Sequence, residues 1–193
     1  MPSSLLQAKT PDNWVQNVLD NFNDFLLDHA ACERKAASLA MSFVVKYPDR
    51  KLLIEPMVSL ALEELKHYKE VYKIIADEDL DLPHKDEKDI YVNHLLTKIR
   101  HGRDERLLDR LLMSSLIEAR GEERFTLVAN AVKDPFFKEF YQRLANEEAG
   151  HHMIFLKLAH HYFSEEQINK RVQELAIFEA EAMKAAPLTH RLH

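Results

Sequence analysis

One pattern occurs twice in this chain at almost the same spacing. Glu33 is followed 31 residues later by Glu64-Leu65-Lys66-His67, and Glu118 is followed 30 residues later by Glu148-Ala149-Gly150-His151. Each half offers one isolated Glu and one Glu-x-x-His, together the six inward-facing ligands of a carboxylate-bridged dinuclear metal site in a four-helix bundle. The short motif alone says little. With 19 Glu and 11 His in 193 residues, roughly one Glu-x-x-His is expected by chance. The constraint comes from the repeated distance to a second Glu, combined with helical phase.

Apolar residues recur with helical period along nearly the whole chain, and the six candidates fall on those stripes. The first stripe reads Phe22, Leu26, His29, Glu33, Ala36, Ala40. The second reads Leu53, Met57, Leu60, Glu64, His67, Val71, Ile74. A third runs Leu108, Leu111, Ser115, Glu118, Glu122, Phe125, Ala129, and a fourth Phe140, Leu144, Glu148, His151, Phe155, Leu158, Tyr162. Residues three and four apart share a helix face, so each carboxylate points where its helix buries apolar surface. An unpaired ionised Glu in a core costs several kcal/mol. Four carboxylates and two neutral imidazoles are balanced to zero charge by two divalent ions. On this reading Glu33, Glu64 and His67 serve mainly one metal and Glu118, Glu148 and His151 the other, with Glu64 and Glu148 bridging. Glu122 is the rival ligand on the third helix, but its distance to Glu148 is 26 residues, further from the first half's 31. The bland alternative is a set of surface glutamates and satisfied core histidines.

Helix-end signals divide the chain. Thr10-Pro11 predicts an N-cap and a first helical residue, opening a helix to about Tyr47. Asp49 is the candidate cap of the second helix, with Pro56 in its early turns or kinking it. Ile90 to Arg100 reads as helical, ending near Gly102. Asp134-Pro135 opens another helix, and Ser164-Glu165-Glu166-Gln167 is a capping box for a last one to about Met183. The charged, non-periodic stretch from Asp77 to Asp89 lies where a ferritin-like fold makes its long crossover. The expected fold is therefore all-α: a ferritin-like four-helix bundle with a long crossover between bundle helices 2 and 3, plus flanking helices. It is expected to form one di-iron domain over residues 1–193, with the bundle at about 11–163 and a C-terminal helix at about 164–184.

Composition narrows the class further. Three Gly and seven Pro leave little room for sheet turns, and 46% hydrophobic residues can fill one ample core. No stretch approaches the roughly 20 apolar residues of a membrane span, and the N-terminus lacks a signal peptide's regions. The single cysteine, Cys32, rules out an intramolecular disulfide and fits a reducing cytoplasm. Cys32 lies about 100° around the helix from its neighbour Glu33, which points to core packing. One cysteine also excludes a built-in iron–sulfur or rubredoxin centre, so electrons must come from an external protein.

The net charge of -6 does not suggest nucleic acid. A local basic cluster does exist: Lys98, Arg100, His101 and Arg103, with Arg106 and Arg110 one and two turns on. Asp104, Glu105 and Asp109 interrupt it, and the pattern alone favours a solvated, ion-paired helix face.

Oxygen and imidazole donors suit iron or manganese. Glu63 and Glu147 each immediately precede a Glu-x-x-His, where many di-iron oxygenases place an acid in a pattern resembling Asp-Glu-x-Arg-His. Such an acid hydrogen-bonds a ligand His and fixes its orientation. Here the basic position is Lys66 once and Gly150 once. His29, one turn before Glu33, and Glu122 are further candidates for supporting the ligands.

The blocks Asp28-His29-Ala30-Ala31-Cys32-Glu33-Arg34-Lys35-Ala36-Ala37, Glu63-Glu64-Leu65-Lys66-His67-Tyr68, Ile99-Arg100-His101-Gly102-Arg103, Ser114-Ser115-Leu116-Ile117-Glu118-Ala119-Arg120-Gly121-Glu122-Glu123-Arg124-Phe125 and Glu148-Ala149-Gly150-His151-His152 resemble MiaE-type tRNA hydroxylases, from about Leu5 to Met183. The resemblance implies hydroxylation of the isopentenyl group of 2-methylthio-N6-isopentenyladenosine, the modified base beside the anticodon. It implies two iron ions, O2 as co-substrate, and two electrons from an external reductase. The partners implied are a tRNA anticodon stem-loop and an electron-transfer protein; apart from the resemblance, no membrane partner is expected, and the oligomeric state is open, with a monomer the expectation. The basic cluster from Lys98 to Arg110 then becomes the candidate contact for anticodon stem-loop phosphates. The rivals are an iron-oxidising ferritin relative, a rubrerythrin-like peroxidase, a di-iron hydroxylase of another small apolar substrate, and a helical interaction module without metal.

Overall fold

The computed structural model describes residues 5–85 and 89–192. Among these residues there are helices and no strand: α1 (Trp14–Asp20), α2 (Phe22–Lys46), α3 (Lys51–Asp77), α4 (Ile90–Leu96), α5 (Arg103–Ala131), α6 (Pro135–Tyr162) and α7 (Glu165–Ala185). None of these helices is long and apolar enough to cross a membrane. The described residues group into two compact units, one of 20–85 with 190–192, the other of 5–19 with 89–189.

The first unit is the α2–α3 hairpin. Tyr47 precedes Pro48, which disfavours the helical region for Tyr47 and ends α2 there. Phe25, Leu26 and Phe43 of α2 and Leu53, Met57, Leu60, Val71 and Ile75 of α3 are fully buried, each worth about 1.5–3 kcal/mol. Pro56 sits inside α3. The carbonyl it leaves without a helical donor belongs to Leu52, an exposed residue, so water can satisfy it.

The expected first helix, from Pro11 to about Tyr47, is in fact two. The chain leaves helical geometry at Asn21 (φ -131, ψ 44). Asp20, Asn21, Asn23 and Asp24 crowd this point, and such side chains compete with the helix for backbone hydrogen bonds. α3 begins at Lys51, with Arg50 rather than Asp49 at the N-cap position.

The second unit is the α5–α6 hairpin, with α7 against it, α4 packed on α7, and Trp14 of α1 meeting Arg124 of α5. α6 opens on Asp134-Pro135, the Asp134 carboxylate accepting from Phe136 N–H at 2.8 Å. α7 opens on the expected capping box of Ser164 and Gln167 and runs two residues past Met183, to Ala185. Ser164→Ala should cost about 1 kcal/mol. Thermal melting should show a Tm lower by roughly 2–4 °C, and an unchanged Tm would mean that packing alone holds this helix start. α4 is shorter than expected, stopping at Leu96, and Gly102 starts α5 instead of ending the preceding helix.

Thr10 has a different task from the expected cap. Its N–H and hydroxyl both donate to the Glu123 carboxylate, at 3.2 and 2.6 Å. It thereby joins a buried polar network on the back of α5. Arg120 donates to both oxygens of Glu179 on α7 (2.8–3.0 Å), to Glu123, and to the carbonyl of Ala8 (2.9 Å). The Tyr91 hydroxyl of α4 donates to the same Glu179 at 2.6 Å. Arg124 stacks over Trp14 of α1, 4.9 Å from the ring centroid.

Candidate metal centre

In the first unit α2 supplies Glu33 while α3 supplies Glu64 and His67, all three buried. One donor atom from each lies within 4.8 Å of the other two. His67 Nδ1 is 3.4 Å from Glu64 Oε2 and 3.6 Å from Glu33 Oε2. Donors each about 2.1 Å from one ion stand roughly 3.0–3.4 Å apart, so this spacing suits a shared cation. The other Glu33 oxygen is taken: His29 Nε2 lies 2.6 Å from Oε1, and Phe25 stacks on the His29 ring. If the Nε2–H tautomer donates there, Glu33 Oε2 is left turned towards His67.

The electrostatics point the same way. Burial works against a charged His67, but the hydrogen bonds and charges of Glu33 and Glu64 outweigh it and push the imidazole up to about 10. Two buried carboxylates take whatever cation is at hand, and without a metal that cation is a proton.

In the second unit α5 supplies Glu118 while α6 supplies Glu148 and His151, again all buried. Donor atoms of Glu118 and His151 lie within 4.8 Å of each other. His151 Nδ1 is 3.4 Å from Glu148 Oε2, the same separation as in the first unit. Glu148 Oε2 is buried and accepts no hydrogen bond among the described residues. A buried carboxylate oxygen without a donor costs several kcal/mol unless a cation faces it. The donor set, three atoms per unit from Glu and His, fits a hard-to-borderline divalent ion such as iron.

The residues expected to support the ligands divide. His29 holds Glu33. Glu147 is half-buried and paired with Arg143 at 2.9 Å, and Glu63 is exposed. Glu122 is half-buried and belongs to neither donor cluster. Its carboxyl is raised above the ordinary range, first by burial and also by the charge of Glu148.

Two residues of this region were passed over in the sequence. Gly121 faces Glu148: a Cβ there would stand 3.8 Å from the carboxylate carbon, leaving room for that side chain to shift. A glycine in mid-helix was the available signal. Ser115 donates its hydroxyl to the carbonyl of His152 at 3.1 Å, tying α5 to α6 beside His151.

Lys98, Arg100, His101, Arg103 and Arg106 are exposed, but Arg110 is buried and is withdrawn as a phosphate contact. It occupies the inward side of α5 together with Leu107 and Leu111. Lys98 sits over the Phe178 ring at 4.3 Å. Arg100 is committed to Asp109, donating from its backbone and guanidinium at 2.7–3.1 Å, and Arg171 of α7 clamps the same carboxylate at 2.8–2.9 Å. Burial alone would raise the Asp109 pKa, but these bonds outweigh it and hold the carboxyl below its ordinary value. A folded pKa below the unfolded one means stability present above about pH 4 and lost as acid carries the pH through the lower folded value. Melting temperature measured against pH should therefore fall more steeply below about pH 4 for the wild type than for Asp109→Asn; parallel curves would remove this clamp from the acid response.

Three comparisons bear on this geometry. A family model described as tRNA-(MS[2]IO[6]A)-hydroxylase (MiaE) matches residues 2–193. The tRNA 2-(methylsulfanyl)-N(6)-isopentenyladenosine(37) hydroxylase of Pseudomonas putida is 33% identical over 190 residues, covering 98% of this chain and 92% of the relative. The enzyme of the same description from Salmonella typhimurium is 27% identical, covering 98% and 87%. Among solved structures, a protein with aldehyde deformylating oxygenase activity from Synechococcus superposes with a TM-score of 0.93 and 34% identity, covering 99% of this chain and 96% of that one. The fold is thus the all-α, ferritin-like one expected from the repeat.

Proposed function

Since this chain belongs to the MiaE family of tRNA hydroxylases, we propose that it hydroxylates the isopentenyl group of 2-methylthio-N6-isopentenyladenosine in tRNA. The observation that carries the reading is the pair of buried Glu/Glu-x-x-His triads, equal in their 3.4 Å Glu–His separation, in a chain matched by that family along its whole length. In this reading Glu33, Glu64 and His67 would hold mainly one iron, and Glu118, Glu148 and His151 mainly the other. Iron bound there supplies the O2 activation that an allylic methyl demands, since such a C–H bond offers no acid–base handle. The balance is one substrate methyl, one O2, two electrons and two protons giving the alcohol and water.

The chain's own residues do the rest. His29 fixes which Glu33 oxygen is presented. Gly121 leaves the Glu148 carboxylate space to move. Burial of all six ligands keeps bulk water off them. Arg103 and Arg106, exposed at the start of α5, are the candidates for tRNA phosphates, with Lys98 and His101 beside them. The electrons come from an external protein, because Cys32 is the only thiol. We place the enzyme in the cytoplasm, acting as a monomer.

The decisive experiment loads the purified protein anaerobically with Fe(II), adds a chemical reductant, O2 and tRNA carrying the isopentenylated base, and analyses the nucleosides by mass spectrometry. The expected result is about two irons per chain and gain of one oxygen atom on that nucleoside. Absence of bound iron after loading, or turnover of an aldehyde and not of tRNA, would overturn it. The second outcome would favour the deformylating activity of the Synechococcus neighbour. Arg103→Glu with Arg106→Glu should weaken tRNA binding about tenfold or more at moderate salt while iron content stays at wild-type level. Unchanged binding would remove the patch. Arg100 is a poor choice for this test, because its reversal also breaks the Asp109 clamp.

A further inference from the structure

The outward side of α3 carries a feature that the metal reading does not use. At 100° per residue, Leu62, Leu65, Lys66, Lys69, Tyr72 and Lys73 fall within about one third of the helix circumference, opposite Glu64 and His67. Leu62, Leu65 and Tyr72 are 63, 49 and 47% exposed. Tyr68, half-buried at the edge, stacks on Tyr72 with ring centroids 6.2 Å apart. The three lysines are exposed. Lys66 has only a loose pairing with Glu70 at 3.9 Å, and Lys69 and Lys73 have no ionic partner among the described residues. Glu63 and Glu70 lie off this face, on its flank. Between Leu62 and Lys73 this face thus carries three positive charges and no acid, in a chain of net charge -6; exposed Glu55 falls on the same side of α3 about two turns before Leu62.

An apolar and aromatic centre with a charged rim is the layout of a protein interface, and its charge selects the partner's sign. The hydroxylation supplies the partner's chemistry. It consumes two electrons, and a chain with one buried cysteine cannot hold a thiolate-ligated redox centre to store them. The position of the face favours an electron carrier over RNA. It is separated from Glu64 and His67 by one helix, about 10 Å thick, which an electron can cross. A base stacked on Tyr72 would have that same helix between it and the ligands.

Resting on the hydroxylase reading, we infer that the outward face of α3, with Leu62, Leu65 and Tyr72 at its centre and Lys66, Lys69 and Lys73 at its rim, docks an acidic one-electron carrier protein that delivers the two reducing equivalents in successive encounters.

The test uses the full-length, iron-loaded protein and an acidic [2Fe–2S] ferredoxin as probe, with Kd measured by titration calorimetry at low and at moderate salt. The wild type should bind, and more weakly as salt rises. Lys66→Glu combined with Lys69→Glu and Lys73→Glu should weaken binding at least tenfold and abolish the salt response. Tyr72→Ser should weaken binding while preserving that response. Circular dichroism confirms that each variant is folded. No binding by the wild type, equal Kd values, or a loss of tRNA affinity in place of ferredoxin affinity would each overturn the inference. Single-turnover hydroxylation with a chemical reductant, run in parallel, separates the two ideas. Its failure in the wild type counts against the hydroxylase reading, whereas the Kd values judge the docking face alone.

Discussion

Glu148→Ala is expected to bind well under one iron per chain where the wild type binds about two, and to lose turnover by at least a hundredfold. Even residues that only orient a metal ligand cost 10–100-fold in affinity or activity when replaced, and Glu148 is proposed as a ligand itself. The stability change should have the opposite sign to that of an ordinary core substitution. Glu148 Oε2 is buried without a hydrogen bond, so the metal-free protein pays desolvation for that carboxylate with little return. Removing it should leave the metal-free Tm unchanged or higher and abolish the rise in Tm that iron gives the wild type. Iron content by elemental analysis and Tm with and without Fe(II) decide the matter. Two irons retained, or a large drop in metal-free Tm, would mean Glu148 is structural. On the same reasoning Glu118→Ala should lose more metal than Glu122→Ala, since only Glu118 shares a donor cluster with His151.

Glu179→Ala should be the most damaging change outside the ligands. Glu179 and Arg120 are both fully buried, and breaking a buried pair costs about 3–5 kcal/mol because the remaining charge is left in a poor solvent. The local chemistry shows how tightly the groups depend on one another. Burial alone would lower the Arg120 pKa, but the charge of Glu179, with Tyr91 and Glu123, outweighs it and raises the pKa. Arg124 is pulled down to about 10, chiefly by burial. Tyr91 loses its hydroxyl acceptor in the same substitution. The expected fall in Tm is roughly 6–20 °C for a chain of this size. Arg120→Met combined with Glu179→Leu should recover at least half of that loss, because the pair is then removed together. A double variant as unstable as the two single ones summed would show that no coupling exists.

The buried positions of the six proposed metal ligands could be read from the sequence because they obey local rules. Glu64 and His67, like Glu148 and His151, are three residues apart on one helix, and their apolar neighbours fix the face. Even Glu33 and Glu118 declare themselves by phase. The Arg120–Glu179 pair could not be read, since its partners are 59 residues apart and nothing in helical periodicity ties α5 to α7. For the same reason Arg100 and Asp109 appeared as alternating surface charge, when Arg171 completes a clamp from 62 residues away. The break at Asn21 was misread because an apolar stripe continues through it. Phe22, Leu26 and His29 keep phase with the helix that follows, while Trp14 and Val18 are buried in a separate short one. Thr10 carried a correct cap signature that a buried arginine and Glu123 outbid.

α5 carries opposite charges on opposite sides. Glu118 and Gly121 occupy one side, and Arg120 and Arg124 lie about 200° and 240° further round. Losing or gaining one residue between 118 and 124 turns everything beyond it by about 100°, carrying a guanidinium towards the carboxylate side and an apolar residue into the ionic one. In heredity this helix can therefore change its letters but not its length. A change of length is expected to be tolerated instead at turns such as Glu78–Asp79, just past the end of α3, where no helix side depends on the count.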